Sequence, residues 1–487
     1  MAAPISPASL ATKPIAFGTD GWRGVIAADF TFERVVRVAP LAALALAQTY
    51  GDTINSRTII VGYDRRFLSE EFAKAAADAV SAAGFEVLLS ETYAPTPAFS
   101  WAAKQQNALG ALVITASHNP GMYSGLKVKG GFGGSVPPEV TQKVEAMLQS
   151  DQAVKGEATT VQTFDPWQSY CDGLRTKVDI AAIQAAIASG KLTVFADVMH
   201  GAAATGLARL VGDGIRELNS DRDPLFGGGA PEPLPRYLST LFDTIKTYRQ
   251  QSASDLVVGL VFDGDSDRVA AVDGQGNFLS SQVLIPILIE HLAVHRGYSG
   301  EVIKTISGSN LIPKVAELYN LPIYQTPIGY KYIADRMLEA QVLLGGEESG
   351  GIGYGHHIPE RDALLSALYV LEAVVQSGKD LSDLYAELQQ KTRYTSTYDR
   401  IDLPLASMDV RSRLLEQLQT NPPTEIAGQT VLDCLSIDGY KFQLADQSWL
   451  LIRFSGTEPV LRLYSEALTL DAVHRNLNWA KDWANSI

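Results

Sequence analysis

Short apolar runs rich in β-branched residues recur along the chain, separated by longer stretches whose apolar residues fall at helical spacing. Residues 58–63, Thr-Ile-Ile-Val-Gly-Tyr, read as a buried strand that enters a loop at Asp64. Residues 69–83 follow with alanine-rich helical spacing, and Gly84 stops them. Residues 85–89 are again strand-like, Pro95 and Pro97 mark the turn into another helix, and residues 110–115 give a third strand. The alternation returns over 192–196, 214–218 and 256–262, and once more over 301–305, 321–325 and 341–344. Strand–helix–strand repetition at this pitch predicts parallel α/β construction. The C-terminal part changes character. Residues 394–403 alternate and are rich in Thr and Tyr, and 449–453 and 460–466 read as antiparallel strands around Ser455-Gly456-Thr457. A helix closes the chain from Asp471, which makes an α+β unit. The expectation is three related α/β domains, residues 1–160, 161–277 and 278–390, followed by an α+β domain over 391–487.

Composition narrows the class. The chain has 487 residues, enough for about three or four domains. With 46% hydrophobic and 19% charged residues, disorder as the main state is excluded. The 40 Lys and Arg against 54 Asp and Glu leave a net charge of −14, which opposes a polyphosphate backbone, so no nucleic-acid partner is expected. Two cysteines, Cys171 and Cys434, are too few for a disulfide framework or a cysteine zinc site and suit a reducing compartment. The first residues show no basic segment followed by an apolar core, and the most apolar stretch, 283–294, is broken by Glu290 and His291. The expectation is a soluble cytoplasmic protein with no membrane partner, monomer or dimer.

Four loops carry candidate chemistry. After the apolar run 256–262 comes Asp263-Gly264-Asp265-Ser266-Asp267-Arg268. Alternate residues of an extended segment share a face, so the three carboxylates can converge on one hard cation. An EF-hand is excluded because Arg268 and Gly274 stand where that loop needs Gly and Glu; an acidic turn is the plain alternative, which the strand candidates on both sides disfavour. Arg268 suits an anionic ligand. The second loop, Thr115-Ala116-Ser117-His118-Asn119-Pro120, sits at the C-terminal end of a strand, where ligands bind in open α/β sheets. Ser117 is a candidate nucleophile or an ordinary turn serine. The hydrolase elbow is excluded by Thr115 and Asn119, and His118, being adjacent, is expected to point away from Ser117. Lys127 lies within plausible reach of a phosphoryl-transfer centre. The third, Gly345-Gly346-Glu347-Glu348-Ser349-Gly350-Gly351, offers an acceptor at Glu347 and a donor/acceptor at Ser349 for sugar hydroxyls. His356 and His357 lack partners at metal spacing and read as structural. The fourth, Arg453-Phe454-Ser455-Gly456-Thr457-Glu458-Pro459 with Arg462 downstream, is an anion nest or a plain hairpin. Together they describe a phosphosugar site at a shared cleft.

With these residues in view, the chain resembles the α-D-phosphohexomutase superfamily. Phe17-Gly18-Thr19-Asp20-Gly21-Trp22-Arg23-Gly24 is similar to its N-terminal signature, 115–120 to its phosphoserine loop, 263–268 to its metal loop, 347–350 to its sugar loop, and 453–459 to its phosphate loop. Thr326-Pro327-Ile328-Gly329-Tyr330-Lys331 is similar to a further substrate-contacting loop. The resemblance implies four domains around a central cleft and an isomerase that moves a phosphoryl group. It implies phosphoserine at Ser117, and Mg²⁺ held by Asp263, Asp265 and Asp267 with a Ser117 phosphate oxygen. Arg23, Lys127, His118 and Arg268 become catalytic residues, with Lys127 also a candidate proton carrier. Glu347 and Ser349 read the sugar, and Arg453, Ser455, Gly456 and Thr457 hold the idle phosphate, with Gly329 and Lys331 nearby. Glucose 1,6-bisphosphate is the implied intermediate and activator.

Departures from the family pattern bear on the substrate. Glu348 and Gly351 replace the Met and His of the dual mannose/glucose branch, the glucosamine branch's Gln is missing, and Phe454 replaces a Pro. Glucose 1-phosphate and glucose 6-phosphate are therefore the expected hexose phosphates. The alternatives are a phosphomannomutase or dual-specificity mutase, a glucose 1,6-bisphosphate synthase on the same scaffold, and a non-catalytic phosphosugar-binding protein.

Overall fold

A computed structural model describes residues 14–18, 20–252, 256–455 and 459–486. Four sheets divide the chain. The first three repeat one strand order. In the first domain the strand Thr58–Tyr63 lies between Glu86–Ser90 and Gly110–Ile114, parallel to both, and Tyr123–Gly130 adds antiparallel to Gly110–Ile114. In the second, Leu192–Asp197 lies between Ile215–Leu218 and Leu256–Phe262, and Val269–Val272 adds antiparallel. In the third, Glu301–Thr305 lies between Ile323–Thr326 and Val342–Gly346, and Ile352–Tyr354 adds antiparallel. Each sheet thus reads second, first, third, fourth, with the fourth reversed. The three α/β units expected from the sequence share this topology, but the sheets are mixed rather than parallel.

The difference matters for function. The chain leaves the third strand of each unit and returns as an antiparallel fourth, and the connections between them contain Ser117, Asp263–Asp267 and Glu347–Ser349 respectively. Three candidate loops occupy one topological position in three domains, at the C-terminal end of a parallel strand.

The fourth domain has a six-stranded sheet whose pairings are all antiparallel, in the order Thr397–Pro404, Val460–Ala467, Trp449–Phe454, Tyr440–Leu444, Gln429–Leu435, Glu425–Ile426. The helix Leu470–Asn485 packs its buried Val473, Leu477 and Ala480 on one face, started by the Thr469 side chain, which accepts from Ala472 N. The other face meets the third domain.

Burial separates the domains into two kinds of neighbour. One apolar cluster runs through the first three, from Phe99 and Trp167 through Leu207 and Leu260 to Leu364 and Leu371. The helix Ala363–Ser377, capped by Asp362, threads this shared core. The fourth domain touches the third through a smaller apolar cluster, Ile306 with Trp449, Leu451 and Tyr464. Among the described residues no helix is long and apolar enough to cross a membrane.

Candidate active site

The serine loop is built by a residue far from it in sequence. Arg66 is fully buried, and its guanidinium donates to Ser117 O at 2.5 Å, Asn119 O at 2.7 Å, and Pro120 O and Tyr123 O at 3.0 Å. Asp64 holds its Nε at 3.1 Å. This wrapping keeps Ser117 at φ 52°, a left-handed conformation that a serine adopts only when its surroundings enforce it. Ser266 in the metal loop has φ 60°. The turn at Ser117 brings Oγ to Asp263 Oδ2 at 2.9 Å and to His118 Nδ1 at 3.3 Å. The expectation that His118 points away is thereby corrected: it assumed extended backbone, and the left-handed turn folds the two neighbouring side chains together.

The three aspartates meet as expected, but in a turn rather than an extended segment: Ser266 N donates to Asp263 O at 3.1 Å. Asp263, Asp265 and Asp267 are buried, and each offers an oxygen within 4.8 Å of the others. Asp263 Oδ1 accepts from the backbone of Asp267 and Arg268 at 3.0 and 3.1 Å, and Thr96 Oγ1 donates to Asp265 Oδ2 at 2.6 Å. Asp265 Oδ1 and Asp267 Oδ1 are buried without a hydrogen-bond partner among the described residues. An all-carboxylate set with two such oxygens suits a hard divalent cation such as Mg²⁺, which demands oxygen donors. Burial first, then the Asp267 and Asp265 charges, push Asp263 well above the usual carboxylate range. Burial also pushes Asp265 up, but Lys127 outweighs it and holds Asp265 below its usual value.

Lys127 is the centre of a buried charge lattice. Its Nζ lies 2.7 Å from Asp20 Oδ2 and 2.8 Å from both Asp265 Oδ2 and Asp267 Oδ2. Burial opposes the charge, but Asp20, Asp265 and Asp267 together raise Lys127 above the ordinary ammonium value. Arg361 reaches Asp20 Oδ2 at 2.7 Å and Asp267 Oδ2 at 2.6 Å, with Nη1 3.6 Å from Glu347. Lys129 bridges Asp20 and Glu360 at 3.1 and 2.6 Å. Sequence reasoning gives no role to Asp20, Lys129, Glu360 or Arg361. The available signal was a strand, Tyr123–Gly130, whose lysines alternate with Leu126 and Val128: two buried ammonium groups require buried carboxylates.

The remaining candidates take their places around this lattice. Arg23 Nη1 donates to Asn119 Oδ1 at 2.5 Å. Arg268 joins the sugar loop through a bridge to Gly351, and Val269 N donates to Gly350 O at 3.0 Å. The Arg268 charge, then burial and Arg23, hold His118 well below its usual value, so its ring is neutral near pH 7. Glu347 is buried and accepts from Gly329 N at 3.1 Å. Lys331 lines a cavity of ≈ 260 Å³ with Phe17, Asp20 and Glu145. Arg453 is held by Asp438 at 3.0 Å, and Asp438 also accepts from Ile328 N at 2.9 Å. Ser455 N donates to Val460 O at 3.0 Å, and Arg411 Nε donates to Ser455 O at 2.9 Å. Gly456 and Thr457 lie outside the described residues. His356 and His357 are structural, hydrogen-bonded to Tyr369 at 2.6 Å and Asp362 at 3.0 Å.

Comparison with known proteins matches four successive segments of the chain to the four domains of one family. Domain I of the phosphoglucomutase/phosphomannomutase family (alpha/beta/alpha) matches residues 14–155, domain II 168–276, domain III 280–392, and the C-terminal domain 413–477. A phosphoglucomutase/phosphomannomutase of Thermococcus kodakarensis is 28% identical over 466 residues, covering 93% of this chain and 94% of that one. A phosphoglucosamine/phosphogalactosamine mutase of Sulfurisphaera tokodaii is 28% identical over 480 residues, covering 96% and 98%. The crystal structure of a Thermus thermophilus protein assigned as a phosphomannomutase is 30% identical and superposes with a TM-score of 0.83 over 97% of this chain and 100% of that one. Parafusin, a phosphoglucomutase of Paramecium in its open form, shares the fold at 20% identity, with a TM-score of 0.77 over 97% and 96% of the two chains.

Proposed function

Because the chain belongs to the phosphoglucomutase/phosphomannomutase family of phosphohexomutases, we propose that it interconverts glucose 1-phosphate and glucose 6-phosphate, with Ser117 as the phosphorylated group and Mg²⁺ as the metal. The observation that carries the reading is the meeting of three topologically equivalent loops, with Ser117 Oγ 2.9 Å from an aspartate of the buried triad.

Phosphoryl transfer depends mainly on positioning and charge neutralisation. Asp263, Asp265 and Asp267 would hold Mg²⁺, which when bound neutralises charge on the transferring oxygens. In the first half-reaction the Ser117 Oγ–P bond breaks, a bond forms from phosphorus to the free sugar hydroxyl, and that hydroxyl loses its proton. His118, kept neutral beside Ser117, is the acceptor the reading assigns. In the second half the bisphosphate presents its other phosphate, Ser117 Oγ attacks it, and the proton returns to the departing sugar oxygen. Lys127, locked against three carboxylates, acts as a fixed charge rather than as a proton carrier. Arg23 and Arg268 position the reacting phosphate, Glu347 and Ser349 read hydroxyls, and the Arg453 loop holds the second phosphate.

The test is ³¹P NMR with Mg²⁺, a trace of glucose 1,6-bisphosphate, and glucose, mannose or glucosamine 1-phosphate in parallel. Growth of the glucose 6-phosphate resonance ahead of the other two is expected, and its loss in Ser117→Ala. Faster turnover of mannose or glucosamine phosphate would overturn the substrate, and turnover surviving Ser117→Ala would overturn the phosphoserine route. Accumulation of bisphosphate that needs a separate phosphate donor would identify the synthase instead.

A further inference from the structure

The sugar loop carries two adjacent acids that turn opposite ways. Glu347 stays with the charge lattice, near Arg361 and Gly329 N. Glu348 leaves the third domain: both its carboxylate oxygens lie 3.2 Å from Nη1 of Arg400, in the first strand of the fourth domain. The pair is sheltered, with the Glu348 side chain 12% and the Arg400 side chain 26% exposed. Glu348 is the foremost cause that raises the Arg400 guanidinium above its usual value.

Two features give this pair a task. The first is what lies behind the loop. Glu348, Ser349, Gly350 and Arg400 line a cavity of ≈ 330 Å³ together with Pro233 and Val269, so the back of the loop faces open space rather than packed side chains. The second is where Arg400 sits. It lies opposite Tyr464, and two residues along the same strand as Tyr464, Arg462 stands opposite Arg453 of the phosphate loop. Residues two apart share a sheet face, so Arg400, Arg462 and Arg453 form one strip rich in arginine, with Asp402 opposite Arg462 on the same face. Arg462 Nε is buried in it without a hydrogen-bond partner among the described residues. The strip that would take the idle phosphate is therefore the strip that grips the sugar loop.

We infer that Arg400 and Glu348 form a clasp through which the fourth domain sets the position of the sugar loop, making Arg400 a positioning residue for hydroxyl recognition by Glu347 and Ser349. This rests on the phosphohexomutase reading of those two residues. The placement of the fourth domain is set against the third by a small apolar cluster and by hydrogen bonds, Ser309 Oγ and Asn310 N to Glu466 and Lys441 Nζ to Ile306 O, apart from the core that the first three share. The clasp passes that placement to the loop: the sugar is read correctly when the fourth domain is seated.

The experiment compares Arg400→Gln, Glu348→Gln, the double variant, and the reversed pair Arg400→Glu with Glu348→Arg. Each single change is expected to lower kcat/KM for glucose 1-phosphate about tenfold, as for loss of a sheltered charge-assisted hydrogen bond. It should also narrow the preference for glucose over mannose 1-phosphate. The double variant should be no worse than either single one, and the reversed pair should recover most of the loss. An unchanged epimer preference or additive losses would overturn the clasp. If the unaltered protein turns over no hexose phosphate, the functional reading fails instead. The clasp is then read by hydrogen exchange of amides 347–351, expected about tenfold faster in Arg400→Gln and restored in the reversed pair. Exchange that does not change would overturn it.

Discussion

Arg66→Lys is the substitution that most directly tests how Ser117 is placed. The guanidinium makes five hydrogen bonds in full burial, four to carbonyls of the serine loop and one to Asp64. An ammonium keeps the charge but offers three donors, so at least two buried acceptors lose theirs. Each such acceptor costs about 1–3 kcal/mol, which places the loss at about 2–6 kcal/mol and concentrates it in the loop that holds Ser117 at φ 52°. Relaxation of that backbone moves Oγ from its 2.9 Å contact with Asp263. A displacement near 1 Å costs on the order of a hundredfold in rate. The assay is kcat together with the phosphoserine fraction by mass spectrometry, with urea unfolding as the stability measure. Arg66→Met should be worse, because it also leaves Asp64 buried beside no cation. A lysine variant that keeps kcat within about threefold and unfolds at the same urea concentration would refute the reasoning, since the carbonyls would then have found other donors.

Two other measurements probe different parts of the molecule. Asp265→Asn is expected to raise the Mg²⁺ concentration for half-maximal turnover at least ~10-fold, because Oδ1 is a buried acceptor that the described residues leave unpaired; an unaltered titration would remove Asp265 from the metal set. Burial lowers the Lys304 ammonium from 10.5 to about 8 where the third domain meets the fourth, so the unfolded chain binds more protons between those values and stability rises with pH across that window, by about 3 kcal/mol in all. Urea unfolding from pH 7.5 to 10.5 should show the rise and Lys304→Met should reduce it, the buried Lys441, also held below its ordinary value, keeping the remainder; a fall would contradict the burial.

The apolar runs were legible because a strand buried on both faces must be apolar whatever its partners. Thr58–Tyr63, Leu192–Asp197 and Leu256–Phe262 lie within a residue or two of where the pattern puts them. Tyr123–Gly130 was not legible: Lys127 and Lys129 make it read as exposed, and only the folded chain brings Asp20 and Glu360 to them. The site divided in the same way. Asp263, Asp265 and Asp267 lie within five consecutive residues, so one short turn brings them together and the motif reports them. Arg66 acts on Ser117 across 51 residues, and Arg361 acts on Asp20 across 341, distances at which spacing carries no information.

The repeated strand order explains why the unreadable half of the site exists at all. Each α/β domain reverses its fourth strand against its third, so its loop opens at the C-terminal end of a parallel strand and projects beyond the sheet. Three such loops meeting at one point bring Ser117, Asp263, Asp265, Asp267 and Glu347 into a volume where four carboxylates would repel strongly. The reversed strand of the first domain supplies the remedy: Lys127, on the strand that follows the serine loop, lies 2.7 Å from Asp20 and shares its charge with Asp265 and Asp267. Arg361 does the same from the third domain. Cations from the first and third domains thus neutralise acids of the second, so the lattice forms only when all three are docked. The charge balance that phosphoryl transfer requires and the packing of the three domains are consequently one condition, met by the same buried side chains.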